Sequence, residues 1–233
     1  MFSKEYEFRY GDLDKNGNIK IGAMMELLQD ISFAHASFVG WDWKDLKDES
    51  VACLLGGWRV RIKKPLDESC VTVKTGVMSI RKYEALRKYE IWQNDECKVI
   101  ATALWFTVDI KLRKIIPVPQ SFIDAFECID EEDNGLTYEK LRPNKDLIFL
   151  DEFKVSASDI DTNNHLNNVK SVEKMLNLLP DNFEIMEFCI RYRKEIKADE
   201  CVKIYGSQND KKCCFEIRND DGLPCVWIDV NRK

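Results

Sequence analysis

The feature that most constrains this chain is a polar turn that occurs twice. The first copy reads Asp12-Leu13-Asp14-Lys15-Asn16-Gly17-Asn18-Ile19 and the second Asp159-Ile160-Asp161-Thr162-Asn163-Asn164-His165-Leu166. Aspartate, aspartate and asparagine recur at equal spacing, and an apolar residue closes each turn. A helical pattern follows both times. Ile21, Met24, Met25, Leu28 and Ile31 keep helical spacing until Gly40; Val169, Val172, Met175, Leu176 and Leu179 do so until Pro180.

Strand patterns complete each copy. Residues 4–10 and 152–157 precede the turns. Segments near 52–62, 70–79, 82–94 and 98–110 follow the first helix, with Asn94-Asp95 as a hairpin turn. Segments near 184–196, 200–207, 212–219 and 223–231 follow the second, with Asp220-Asp221-Gly222 as another. A further echo sets Arg59-Val60-Arg61-Ile62-Lys63 against Arg191-Tyr192-Arg193-Lys194-Glu195. The expected class is α+β, a duplication of one helix with antiparallel strands. The copies are expected at 1–130 and 146–233, joined by an acidic linker over 131–145.

The copies differ where chemistry would reside. Asn18 stands in the first copy where the second has His165, and in this alignment Lys63 stands against Glu195. Only the second copy keeps a titratable acid–base pair, which points to catalysis in the C-terminal half. His35, inside the first helix and without a partner motif, is assigned to packing.

Several function classes fall away on composition. A net charge of −6 and a pI near 5.2 leave no electrostatic footprint for nucleic acid. No apolar run reaches the roughly 20 residues of a membrane helix. Residues 1–8 alternate charges with aromatics and carry no signal-peptide apolar stretch, so a cytoplasmic protein is expected. The nine cysteines are odd in number and lie mostly in apolar runs, which predicts buried free thiols rather than disulfides or a zinc site. Asp12-x-Asp14-x-Asn16-Gly17 matches the opening of a calcium loop, but the position that needs a bidentate glutamate is Ala23. The turn is therefore read as Asp and Asn side chains bonding their own backbone.

The run from Ser158 to Lys170, with Asp161, Asn163, His165 and the pair Asn167-Asn168, resembles the active-site stretch of acyl-ACP thioesterases. Ile190 to Glu195 looks like that family's Tyr-Arg-x-Glu strand, and Leu54–Ile62, Val71–Lys74 and Ala101–Asp109 look like its first half. The resemblance implies two tandem hotdog domains, each a long helix wrapped by an antiparallel sheet, working in fatty acid metabolism. It implies hydrolysis of a fatty acyl thioester on acyl carrier protein by water, with no metal or redox cofactor. Carried over by position, Asp161, Asn163, His165 and Glu195 are the catalytic candidates. A cysteine that follows the glutamate in plant members is Ile196 here.

The resemblance also implies that the first half holds the acyl chain, with Met24, Met25, Leu28, Phe33 and Trp58 as candidate contacts. An acidic carrier would need a basic patch, for which Lys111, Arg113 and Lys114, or Arg59, Arg61, Lys63 and Lys64, are candidates. An acyl-CoA thioesterase and a non-catalytic acyl-thioester-binding hotdog protein remain as alternatives. Pairing into a homodimer is left open.

Overall fold

The structure, a computed structural model, describes residues 1–41, 50–67, 69–129 and 136–233. It divides into two compact units, Met1–Tyr138 and Glu139–Lys233.

In the first unit β1 (Phe2–Tyr6) leads to α1 (Ile21–Phe38), followed by β2 (Val51–Ile62), β3 (Val71–Ile80), β4 (Glu84–Gln93) and β5 (Glu96–Asp109). The short strand β6 (Lys114–Ile116) and helix α2 (Gln120–Ala125) follow. The antiparallel strands run β1-β3-β4-β5-β2, with β6 paired to β5. Asn94 and Asp95 both have positive φ, 53° and 58°, as a tight β4–β5 turn requires. The helix stops near Gly40, whose φ is +77°.

The core lies where the apolar stripe of α1 meets one face of the sheet. Met25, Leu28 and Ile31 are fully buried there, as are Trp58, Val60, Tyr89 and Ile91. Burying a side chain of this size contributes about 1.5–3 kcal/mol. The Tyr89 hydroxyl is paired inside this core: it meets Ser32 Oγ at 2.7 Å and accepts from Trp105 Nε1 at 3.1 Å.

In the second unit β7 (Ile148–Lys154) leads to α3 (Asn168–Leu176), then β8 (Ile185–Tyr192), β9 (Cys201–Gln208), β10 (Lys212–Arg218) and β11 (Pro224–Arg232). The antiparallel order is β7-β9-β10-β11-β8. Strand for strand this is the order of the first unit. Val169, Val172 and Met175 of α3 are buried, together with Phe188, Ile190, Phe215, Ile217 and Ile228 of the sheet.

Four differences from the sequence reading matter. β1 ends at Tyr6 and β8 at Tyr192, earlier than expected, and β6 and α2 were not expected. The described part of the segment expected as linker is tied down. Carbonyls of Leu136 and Thr137 accept from Thr102 and Arg59, and those of Glu139 and Leu141 accept from Cys189 and Arg191. The acidic stretch Glu131–Gly135 lies outside the described residues. All nine cysteines are free, but Cys70, Cys128 and Cys201 are exposed rather than buried. No helix among the described residues is long and apolar enough to cross a membrane.

Candidate active site

The two polar turns share one hydrogen-bond frame. In the first, Asp14 Oδ1 accepts the backbone N–H groups of Asn16 (2.8 Å) and Asn18 (2.9 Å). In the second, Asp161 Oδ1 accepts those of Asn163 (2.8 Å) and His165 (3.3 Å). The main chain repeats as closely. Asp14 N–H donates to Asn18 O and Asp161 N–H to His165 O; Lys20 N–H donates to Asp12 O and Asn167 N–H to Asp159 O. Gly17 and its counterpart Asn164 both have positive φ, 80° and 66°, a conformation asparagine tolerates better than other side chains. This chemistry is local to the turn, which is why it is visible in sequence.

On the second frame His165 Nε2 lies 3.1 Å from Glu195 Oε2. The His165 side chain is 19% exposed and that of Glu195 40%, so the pair is sheltered on one side and open to water on the other. Two anchors hold it. Leu166 N–H donates to Ile196 O at 2.7 Å, and His165 forms an isolated antiparallel bridge with Lys197. At the other end of the loop, Arg193 and Lys194 N–H groups both turn to Cys225 O, and Lys194 Nζ approaches Asp221 at 3.7 Å. Glu195 is thus displayed between a strand end and the turn that carries His165.

The same strand-end motif exists in the first unit and corrects the second sequence echo. Lys63 and Lys64 N–H groups both donate to Lys98 O, as Arg193 and Lys194 do to Cys225 O. Ile62 pairs with Val99 as Tyr192 pairs with Val226. The echo is therefore displaced by two residues: Lys63 matches Arg193, and the counterpart of Glu195 is Pro65. The asymmetry survives, since the first unit has Asn18 and Pro65 where the second has His165 and Glu195.

On a regular strand through Ile190–Glu195, Arg191, Arg193 and Glu195 would share one face; β8 instead ends at Tyr192, and Glu195 lies beyond it. Both guanidinium groups stack on Trp227, at 5.3 and 4.4 Å from its ring centre, and Arg191 also donates to Leu141 O. The first turn of α3 would leave its N–H groups free for a substrate oxygen if it were uncapped. Asn167 caps it instead, its Oδ1 accepting from Val169 (2.8 Å) and Lys170 (3.3 Å). Asn168 N–H is the remaining early amide. The Tyr192 hydroxyl donates to Asn168 O at 3.3 Å and packs the end of β8 against this helix start.

Asp161 and His165 are brought together by backbone bonds, His165 and Glu195 by side chains, and Asn163 stands exposed on the same turn. Met24, Met25, Leu28 and Trp58 are interior residues of the first unit, whereas Phe33 is 46% exposed and packs edge-on against Trp105. His35 does pack, stacked on Phe2 and edge-on to Phe126, with Nδ1 2.9 Å from Arg87 Nη1. Burial and the adjacent Arg87 cation push its pKa down to about 4. Sequence reasoning missed Glu200, whose Oε1 accepts Lys197 N–H at 3.2 Å and so braces the residue paired with His165. Its Oε2 is buried with no hydrogen-bond partner. A lone glutamate at a strand start carries no sequence signal for that role.

The family model for the acyl-ACP thioesterase N-terminal domain matches residues 1–126, and that for the C-terminal domain matches residues 143–230. No match to a curated protein sequence is found. Among solved structures, an acyl-ACP thioesterase from Bacteroides thetaiotaomicron aligns with a TM-score of 0.91 at 17% identity, over 100% of this chain and 97% of that one. The 12:0-ACP thioesterase from Umbellularia californica aligns with a TM-score of 0.85 at 15% identity, over 100% and 96%. The structural likeness establishes a shared fold and the two family models span most of the sequence: the chain belongs to the acyl-ACP thioesterase family.

Proposed function

We propose that the C-terminal unit carries out the family's reaction, hydrolysis of a fatty acyl thioester on acyl carrier protein, with Glu195 as general base and His165 as its partner. The observation that carries this reading is the 3.1 Å contact between His165 Nε2 and Glu195 Oε2 on a frame whose twin lacks both groups. Glu195 takes a proton from water as the water oxygen attacks the thioester carbonyl carbon. The tetrahedral intermediate collapses with cleavage of the C–S bond, and the departing sulfur takes that proton. The products are a fatty acid and the carrier thiol. His165 holds the carboxylate oriented toward the water. Asn163 and the Asn168 N–H are the donors offered to the developing oxyanion. Asp161 is a positioning residue, because its carboxylate serves the turn as Asp14 does in the silent copy.

Each unit is read as one hotdog domain, the two in tandem. The matching strand orders and the helix in each unit support this. The acyl chain is assigned to the first unit, along Met24, Met25, Leu28 and Trp58, where methionines can re-pack around a flexible chain. Phe33, at the surface, is assigned to the chain's entrance. The protein is read as cytoplasmic. Thiol release from an acyl-ACP series tests the proposal. His165→Ala and Glu195→Gln are expected to fold and to lose at least about 10²-fold in kcat. Unchanged turnover in both removes the site assignment.

A further inference from the structure

The tip of the β5–β6 hairpin is an unusual surface for an acidic protein. Ile110, Leu112 and Ile115 are 46%, 64% and 51% exposed, and Lys111, Arg113 and Lys114 alternate with them. Six successive exposed residues thus carry three cations and three large apolar side chains, and no carboxylate, in a chain whose net charge is −6. Two acidic groups on the neighbouring strands, among the described residues, are engaged. Asp109 accepts Leu112 N–H at 2.8 Å and shapes the turn, and Glu84 pairs with Arg81 at 3.2 Å. Lys111 and Lys114 make no ion pair among the described residues. The surface continues onto Lys82 and the exposed Tyr83: Val118 N–H, just past β6, donates to Lys82 O, and Lys82 Nζ lies 5.1 Å from the Tyr83 ring centre.

Two members of the other basic cluster of this unit are already engaged. Arg59 donates to Thr137 O, and Lys64 pairs with Glu96. At the hairpin tip, Lys111 and Lys114 can offer charge attraction to an acidic partner without first giving up an ion pair.

We propose that the tip formed by Ile110–Ile115 docks the acyl carrier protein, its cations meeting the carrier's acidic face and Leu112 with its neighbours covering apolar contacts between those acids. The inference rests on the carrier-linked reading given above. Mixed basic and apolar side chains suit an acidic amphipathic surface, since the cations steer the encounter while apolar side chains slow departure.

The test compares one acyl chain carried on acyl carrier protein and on neutral pantetheine. The substrates are offered to wild type, to the triple variant Lys111→Glu, Arg113→Glu, Lys114→Glu, and to Leu112→Ser. Thermal midpoints check folding, and Lys111→Glu with Lys114→Glu alone replaces the triple variant if its midpoint drops. Charge reversal is expected to raise KM for the carrier substrate at least about tenfold and to flatten its salt dependence, with kcat/KM on acyl-pantetheine within about twofold. Unchanged KM on the carrier substrate, or parallel losses on both substrates, overturns the proposal. So does loss of binding to phosphatidylglycerol vesicles with carrier kinetics intact, which reassigns the tip to a membrane surface. If wild type cleaves both substrates equally well, the carrier reading itself fails; if it cleaves neither, the hydrolase reading fails.

Discussion

His165 Nε2 and Glu195 Oε2 meet at 3.1 Å although thirty residues separate them, because Leu166 and Ile196 share a backbone hydrogen bond beside the pair. The contact depends on glutamate's reach. Glu195→Asp keeps the charge and withdraws the carboxylate by one methylene. It is expected to lower kcat by about 10²-fold, with the thermal midpoint within a few degrees of wild type. Full activity in this variant would mean that the carboxylate does not act at a defined position.

Asp14 and Asp161 do the same work on two turns, only one of which bears the candidate catalytic residues. Alanine at either position removes two hydrogen bonds to a partly exposed carboxylate and is expected to cost about 1 kcal/mol of stability. Only Asp161→Ala should also lower kcat. Asp161→Asn keeps an acceptor for the same N–H groups and is expected to stay within about threefold of wild-type kcat. Denaturant unfolding and thioester turnover measured on the same preparations decide the matter; a collapse of kcat in Asp161→Asn would make Asp161 a chemical participant.

Glu200 reaches the site through Lys197, whose N–H it accepts at 3.2 Å beside the bridge to His165. Removing the acceptor by Glu200→Ala is expected to reduce kcat about tenfold with KM little changed, as misplacement of a catalytic group does. Glu200→Gln retains an acceptor oxygen and should recover most of that loss. Equal effects of the two variants would assign Glu200 to general stability.

His35 predicts a pH dependence of stability. Its ordinary pKa of 6.5 is pushed down to about 4 by burial, with the Arg87 cation and the chain's amino terminus acting in the same direction. Between these values the unfolded chain binds a proton that the folded chain does not, so stability should rise with pH from about 4 to 6.5. His35→Gln removes the titration and leaves an acceptor for Arg87. The urea midpoint of this variant is expected to change less across that window, and an unaltered slope would show that His35 does not titrate with folding.

Local chemistry was legible in the sequence, and register was not. Both turns were readable because Asp14 and Asp161 bond backbone only two and four residues ahead. The ends of α1 and the β4–β5 turn were readable from Gly40 and Asn94-Asp95. The end of β8 was hidden, because Cys225 O, a group on a different strand, captures the N–H groups of Arg193 and Lys194. That capture lifts Glu195 off the ladder, parts it from the arginines and accounts for the displaced echo. Strand β6 and helix α2 span three and six residues, too short for a periodic signal to stand out. That the Asn167 cap takes two amides out of the pool available to substrate needed coordinates.

The silent turn around Asp14 has an implication for how this enzyme can be altered. Since the bonds within the turn form there without a histidine, and the capture of the strand-end amides forms in the first unit without a glutamate, neither His165 nor Glu195 is required to build the turn and the strand end that carry them. Replacements at these two positions can therefore be screened for new chemistry without a matching search for stabilising changes elsewhere. The molecule supplies its own blank against which each can be read.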